Sequence, residues 1–172
     1  MKLGKDEDSE KMDDSMYRSL IGSLLYLTAS MPDILFVVSL LSRFMHSPRD
    51  THLTAAKRVL RYIKGTSKFG IFFPTSAKVT MNLIGYSYSD WGGGVDDSRS
   101  TSGYLFCLGT SYFSWISRKQ ETTAQSTTEA EYIVVASAVN QVIWLRKMMK
   151  DLGHEQTEAT KIICENNLAV SI

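Results

Sequence analysis

The sequence predicts an α+β fold, and three observations carry that prediction. Apolar residues recur at helical spacing from about Met16 to Gly65. From Lys68 the period falls to two, over short runs rich in Tyr, Phe, Ile and Ser. A long helical stretch after Ser126 and one more short apolar run at 160–164 complete the pattern. Strands in a run, with helices segregated before and after, read as a sheet domain preceded by a small helical piece, with the boundary near residues 65–70.

A chain of 172 residues suffices for one domain, or for one small domain and part of another. With 44% hydrophobic and 22% charged residues it has the composition of a globular protein rather than a disordered one. A formal net charge of +1 gives no global attraction to nucleic acid or to a membrane. Cys107 and Cys164 both sit in apolar, strand-like settings and read as buried reduced thiols, which fits an intracellular, reducing location. The acidic start, residues 1–15, lacks periodicity and a signal-peptide core and reads as a mobile leader. The apolar region from Leu20 to Met45 is broken by Ser30, Pro32, Asp33 and Arg43, so no membrane span is expected, since one needs about 20 nearly uninterrupted apolar residues.

In the first helix Leu20, Leu24, Leu25 and Leu27 form the apolar face. Pro32 ends it and opens the second helix, with Ser30 as a nearby cap. Ile34, Leu35, Val38, Leu41 and Phe44-Met45 continue that second helix to Ser47-Pro48. The third starts after Asp50 or Thr51, and Leu53, Ala56, Leu60 and Ile63 form its stripe. Its other face carries Lys57, Arg61 and Lys64, a solvated surface or a phosphate-contacting one. His46 and His52 flank a loop with no acidic or thiol partner at ligand spacing and read as surface histidines. Strands are expected at 69–73, 81–90, 102–108 and 111–116, the last two joined by a Gly109-Thr110 hairpin. Ser126 and Glu129 stand at capping-box spacing before the long helix, which Gly153 stops.

The acidic landmarks are Asp90 at the end of Gly85-Tyr86-Ser87-Tyr88-Ser89-Asp90-Trp91, Glu131 in the first turns of the long helix, and Glu165 after the last strand. Two-metal phosphodiester cleavage needs carboxylates that converge from such elements to hold two ions about 3.5–4 Å apart. Alternation puts Tyr86, Tyr88 and Asp90 on one strand face.

Gly85-Tyr86-Ser87-x-Ser89-Asp90-Trp91, Arg99-Ser100-Thr101-Ser102-Gly103-Tyr104, Trp115-x-Ser117-Arg118-Lys119-Gln120, Ala124-Gln125-Ser126-Thr127-Thr128-Glu129-Ala130-Glu131-Tyr132 and Cys164-x-Asn166-Asn167 resemble the ribonuclease H domain of copia-class retrotransposon polyproteins. Tyr17 to Leu27, and on through Leu60-Arg61-Tyr62-Ile63-Lys64-Gly65-Thr66, resemble the thumb and connection of the reverse transcriptase that precedes it. The resemblance implies a leader at 1–15, a helical thumb/connection segment at 16–67 and a ribonuclease H-like mixed sheet with a long helix at 68–172, cut short at its C-terminus.

It also implies Mg²⁺ as the family's cofactor and an RNA–DNA hybrid as its substrate. The family's first metal-bridging Asp falls on Tyr88, its helix Glu on Glu131 and its next Asp on Glu165, so Glu131 and Glu165 are the metal ligands that remain. The fourth acidic ligand would fall beyond Ile172. A tyrosine is neutral near pH 7, its reference pKa being about 10. Asp90 faces the same way but lies about 6.6 Å along the strand, outside metal-site tolerance. Glu165 adds a methylene. The expectation is a degenerate, catalytically inactive fragment with vestigial Glu131, Glu165 and Asp90 and no functional metal. It binds nucleic acid weakly through Lys57, Arg61, Lys64, Arg118 and Lys119; a weakly active hybrid endonuclease is the alternative.

Arg58-Val59-Leu60-Arg61 resembles the Arg-any-Leu-Arg tag of secreted oomycete effectors. That resemblance implies a virulence protein delivered into plant host cells, where it suppresses cell death by binding host proteins. Against it, the tag lies inside the third helix and Leu60 serves the apolar stripe.

Overall fold

The computed structural model describes residues 3–5, 8–75 and 81–165, so the Asn166-Asn167 part of the last motif lies outside the described residues. The chain divides into two compact units, Met1–Gly70 and Ile71–Ile172. The α+β class, the mixed sheet and the long helix are those the sequence predicts.

The first unit holds α1 (Asp14–Leu27), a 3₁₀ turn (Pro32–Ile34), α2 (Leu35–Ser42) and α3 (Asp50–Gly65). Asp13 caps α1 by accepting from Ser15 N at 2.9 Å. The buried residues of α1 are Tyr17, Ile21 and Leu24, packed on Val38 and Leu41 of α2 and on Ala56 and Val59 of α3. Of the apolar face expected from Leu20, Leu24, Leu25 and Leu27, Leu24 is buried and Leu20 and Leu27 pack against the core, but Leu25 is exposed, and Tyr17 takes a core place because its hydroxyl donates to Leu41 O at 3.0 Å. Ser30 does not cap the second helix; its hydroxyl donates back to Leu27 O, and Pro32 alone marks the start. In α3 Leu53 and Ala56 are buried as expected, but Val59 is buried in place of Leu60, which is exposed, a shift of about 100° around the helix.

His52 overturns the expectation of a surface histidine. It is fully buried, stacked on Phe44 with ring centroids 4.0 Å apart. Nδ1 accepts from Arg49 N at 3.1 Å, so Nε2 carries the proton and donates to Gly4 O at 2.8 Å. The ring therefore caps α3 and ties the leader to it. Arg49 Nη1 reaches Ser9 O, Asp50 N reaches Glu10 O and Met12 N reaches Pro48 O. Backbone bonds of this kind leave no hydrophobic pattern for a sequence reading to detect. His46 is exposed, as expected.

The second unit holds β1 (Leu83–Asp90), β2 (Thr101–Leu108), β3 (Ser111–Lys119), α4 (Thr127–Asp151) and β4 (Lys161–Cys164). The strand order is β3-β2-β1-β4, with β1–β2 and β2–β3 antiparallel and β1–β4 parallel. Leu83 and Phe106 pack against Ala138, Val142, Leu145 and Met149, one face of α4 at helical spacing. Gly85 is required there, because a Cβ on it would lie 2.6 Å from the Phe106 ring. Ser126 Oγ accepts from Glu129 N at 3.1 Å; Glu129 reaches back one residue past the cap, to Gln125 N at 2.7 Å. Gly153, at φ +79°, ends α4.

No strand forms over Phe69–Phe73. Phe69, Phe72 and Phe73 are exposed, the run does not alternate, and Pro74 has no N–H to give a ladder. β3 runs to Lys119, beyond the expected Ile116, because it stays in register with β2 as far as Thr101. Both cysteines are free thiols: Cys107 is buried and Cys164 half-buried, accepting from Ser87 Oγ at 3.2 Å. Among the described residues no helix is long and apolar enough to cross a membrane.

Replacing His52 with Leu keeps bulk against Phe44 but removes both ring hydrogen bonds. Loss of a buried cap of about 1–2 kcal/mol speeds native-state exchange of the first α3 amides by about ten-fold, with the amides of α4 unchanged. Unaltered α3 exchange would show that the ring is not the cap.

Candidate functional site

The site forms where the C-terminal end of β1 meets the first turns of α4. Alternation along β1 buries Ser87 and Ser89 and leaves Tyr86 and Tyr88 on the opposite, exposed face. The serines are small enough for α4 to approach, and Ser89 N donates to Glu131 Oε1 at 2.9 Å. Glu131 is 4% exposed, and its other oxygen, Oε2, is buried without a hydrogen-bond partner. Burial raises its pKa above the ordinary glutamate value; the Ser89 amide opposes this and the charge of Glu165 adds to it.

Tyr88 is 53% exposed. Partial burial is the largest influence raising its phenol pKa, followed by the negative charges of Asp90, Glu165 and Glu131. The phenol is neutral across the physiological range. Cys164 pairs with Ser87 in the parallel register, so the exposed Glu165, next in the chain, follows on beside Tyr88.

Asp90 has a different employment. Its Oδ1 accepts from Thr101 N, its carbonyl accepts from Gly93 N at 3.2 Å, and a Cβ on Gly93 would collide with its carboxylate. Trp91 Nε1 donates to Ala124 O at 3.0 Å, and Gly92 turns the chain at φ +61°. The acidic end of the motif thus organises the turn between β1 and β2.

Gln120, quoted in the sequence motif without a role, is the hub of this end of the sheet. Its amide nitrogen lies 2.8 Å from Ser102 Oγ, 2.9 Å from Ala130 O and 3.3 Å from Ser89 Oγ, joining β2, α4 and β1. The signal available was a polar residue immediately after a long strand, directly following two cations.

The basic residues do not gather at this site. Lys119 pairs with Asp97 at 2.5 Å, and that hydrogen bond is the main cause holding the Asp97 carboxyl below its usual pKa. Arg118 pairs with Glu121 at 3.0 Å on the surface. Lys57, Arg61 and Lys64 are exposed on α3 in the first unit, and none makes an ion pair among the described residues. Arg58 and Val59 line a cavity of about 460 Å³ together with Asp33, Phe36, Leu40 and Tyr62.

The donor set does not fit a pair of magnesium ions. Such a pair needs several carboxylate oxygens around two centres. Here Tyr88 offers a neutral phenol, one Glu131 oxygen is engaged by the backbone, and Asp90 is held by Thr101. Among the described residues no three His, Cys, Asp or Glu side chains are placed to hold a metal ion.

No family model matches the chain, and no solved structure matches it. The chain is 41% identical over 165 residues to the retrovirus-related Pol polyprotein from transposon RE1 of Arabidopsis thaliana, covering 96% of this chain and 11% of that protein. It is 42% identical over 154 residues to the corresponding polyprotein from transposon RE2 of the same plant, covering 90% of this chain and 10% of that one. Secreted RxLR effector protein 161 of Plasmopara viticola is 44% identical over 130 residues, 75% of this chain and 90% of its own length. The chain thus spans about a tenth of the Pol polyproteins it matches. With the motif order, the mixed sheet and this likeness in agreement, the chain belongs to the family of retrovirus-related Pol polyproteins of copia-type transposons.

Proposed function

We propose that the chain is a transposon-derived ribonuclease H-like unit that no longer cleaves RNA–DNA hybrids, preceded by a helical thumb/connection segment that retains weak nucleic-acid binding. The observation that supports it best is Tyr88. It stands on the exposed face of β1, its phenol is within reach of the negative charges of Asp90, Glu165 and Glu131, and the motif resemblance puts the family's bridging carboxylate at this residue. A phenol there is neutral and presents one oxygen. Glu165 retains a charge at the end of β4, and Glu131 retains one beneath a backbone amide. Neither replaces the bridge. Binding rests on Lys57, Arg61 and Lys64, which share one face of α3 at spacings of four and three residues and release counterions when they meet phosphates.

The decisive experiment incubates the purified chain and its Tyr88→Asp/Glu165→Asp variant with an RNA–DNA hybrid and Mg²⁺. The chain as it stands retains hybrid in a salt-dependent manner and leaves it intact. Mg²⁺-dependent cleavage by the unaltered chain would refute the reading.

Glu131 gives a second test. Its raised pKa means that the folded state holds the proton more tightly than the unfolded chain does. Its favourable contribution is complete below the ordinary glutamate value and is lost as pH rises through the folded value. The melting temperature of Glu131→Gln, measured against that of the unaltered chain, therefore rises from about pH 4 to about pH 8. A difference that stays constant with pH would mean that Glu131 is not a buried charge.

A second reading is host-protein binding after secretion. It is favoured by the Plasmopara viticola relative, nine-tenths of whose length this chain matches. Expression of the chain inside plant cells then suppresses elicited cell death; the Arg58→Ala/Arg61→Ala variant still suppresses it when expressed inside, but is not taken up when supplied from outside. Undiminished cell death in cells containing the chain would exclude this reading.

A further inference from the structure

Tyr88 and its surroundings have properties that a worn-out metal site does not need. Three carboxylates, those of Asp90, Glu131 and Glu165, belong to this end of the sheet, and none forms an ion pair with a Lys or Arg among the described residues. Glu131 carries a carboxylate oxygen that is buried and unpartnered, in a side chain 4% exposed. That oxygen is shut off from solvent, so it adds to the negative field at this end of the sheet without being a contact for a ligand. The opposite, exposed face of β1 carries two aromatic rings two residues apart, Tyr86 at 37% and Tyr88 at 53% exposure. The same face continues through one rung of the sheet, with Ile163 paired to Tyr86 and Tyr86 to Leu105. Negative charge behind aromatic faces, with an apolar strip alongside, is complementary to an organic cation and repels phosphate.

We infer that this face binds the arginine side chain of a basic peptide segment in a partner protein, the guanidinium lying on the Tyr88 ring and facing Glu165, with apolar neighbours on Tyr86 and Ile163. Arginine suits the place better than a divalent ion. Its flat, weakly hydrated cation stacks on a ring and donates hydrogen bonds to carboxylates, whereas Mg²⁺ demands an octahedron of oxygens that Tyr88 interrupts. Replacement of an aspartate by tyrosine is then an exchange of cation class at a site that keeps its negative charge. The inference rests on the proposed loss of metal chemistry at this site.

The test titrates the full chain with a short arginine-glycine peptide, with its glutamate-glycine counterpart and with Mg²⁺, reading the Tyr88 ring resonances by NMR. The arginine peptide shifts those resonances saturably, and raised salt weakens it; the acidic peptide and Mg²⁺ do not shift them. Tyr88→Ala and Glu165→Gln each lower affinity by about five- to ten-fold, while Tyr88→Phe keeps it, since the ring rather than the hydroxyl is used. Tyr88 and Glu165 are exposed, so melting curves of the variants stay superimposed on that of the unaltered chain. Arginine-peptide affinity unchanged in Tyr88→Ala, or Mg²⁺ displacing the peptide at equal concentration, overturns the inference. Absence of peptide binding in a chain that also leaves hybrids intact defeats the inference alone, whereas hybrid cleavage defeats the reading beneath it.

Discussion

The anchoring of the first turns of α4 to the end of β1 is the constraint on which the second unit turns. Two side chains make it: Glu131, which accepts from Ser89 N, and Gln120, which reaches Ser102, Ala130 and Ser89. They form the polar end of an interface whose other end is apolar, where Leu83 and Phe106 meet Ala138, Val142 and Leu145. Apolar burial sets how strongly helix and sheet adhere, but it is non-directional. The buried polar contacts set the position of the helix along the strand, because an unpaired amide at Ser89 would cost about 1–3 kcal/mol.

The same contacts decide what chemistry the site retains. A carboxylate that accepts a backbone N–H is fixed in place, and half of its donor capacity is engaged. That arrangement serves a metal site when a second carboxylate arrives from the strand. With Tyr88 on the strand, the other Glu131 oxygen is buried without a hydrogen-bond partner, and burial raises the pKa of the carboxyl. The Asp90 side chain is engaged elsewhere: the backbone turn that follows β1 is built around it and a glycine that leaves it room.

Much of this was legible in the sequence where one residue type carries one physical meaning. The Ser126–Glu129 cap, Gly153 at the end of α4, the Gly109 hairpin and alternation along Tyr86, Tyr88 and Asp90 all follow local rules. What escaped was decided at a distance. His52 looks like a surface residue until the leader folds back to accept its proton. Leu60 and Val59 are equally apolar, and only the packing of α1 and α2 chooses Val59. The exposed Phe72-Phe73 run resembles a strand by composition, but strand formation needs a partner ladder, and Pro74 interrupts the donors. Gln120 is polar at a strand end, where solvent exposure is the default, and its burial follows from the helix laid over it.

The Arg58-Val59-Leu60-Arg61 tag shows what folding does to a linear motif. Four consecutive residues of an α-helix cover a full turn, so their side chains point in four directions. In α3 Val59 belongs to the core, Arg58 borders the cavity beside Asp33 and Tyr62, and Leu60 and Arg61 face outward. A receptor that reads the four side chains as a contiguous string needs them on extended backbone, and unwinding α3 would remove both Ala56 and Val59 from the core. The folded chain presents instead a basic stripe of Lys57, Arg61 and Lys64, in which Arg61 takes part as a helix-face residue and Val59 takes no part. Any recognition of this helix while it is folded follows the spacing of that stripe rather than the spelling of the tag.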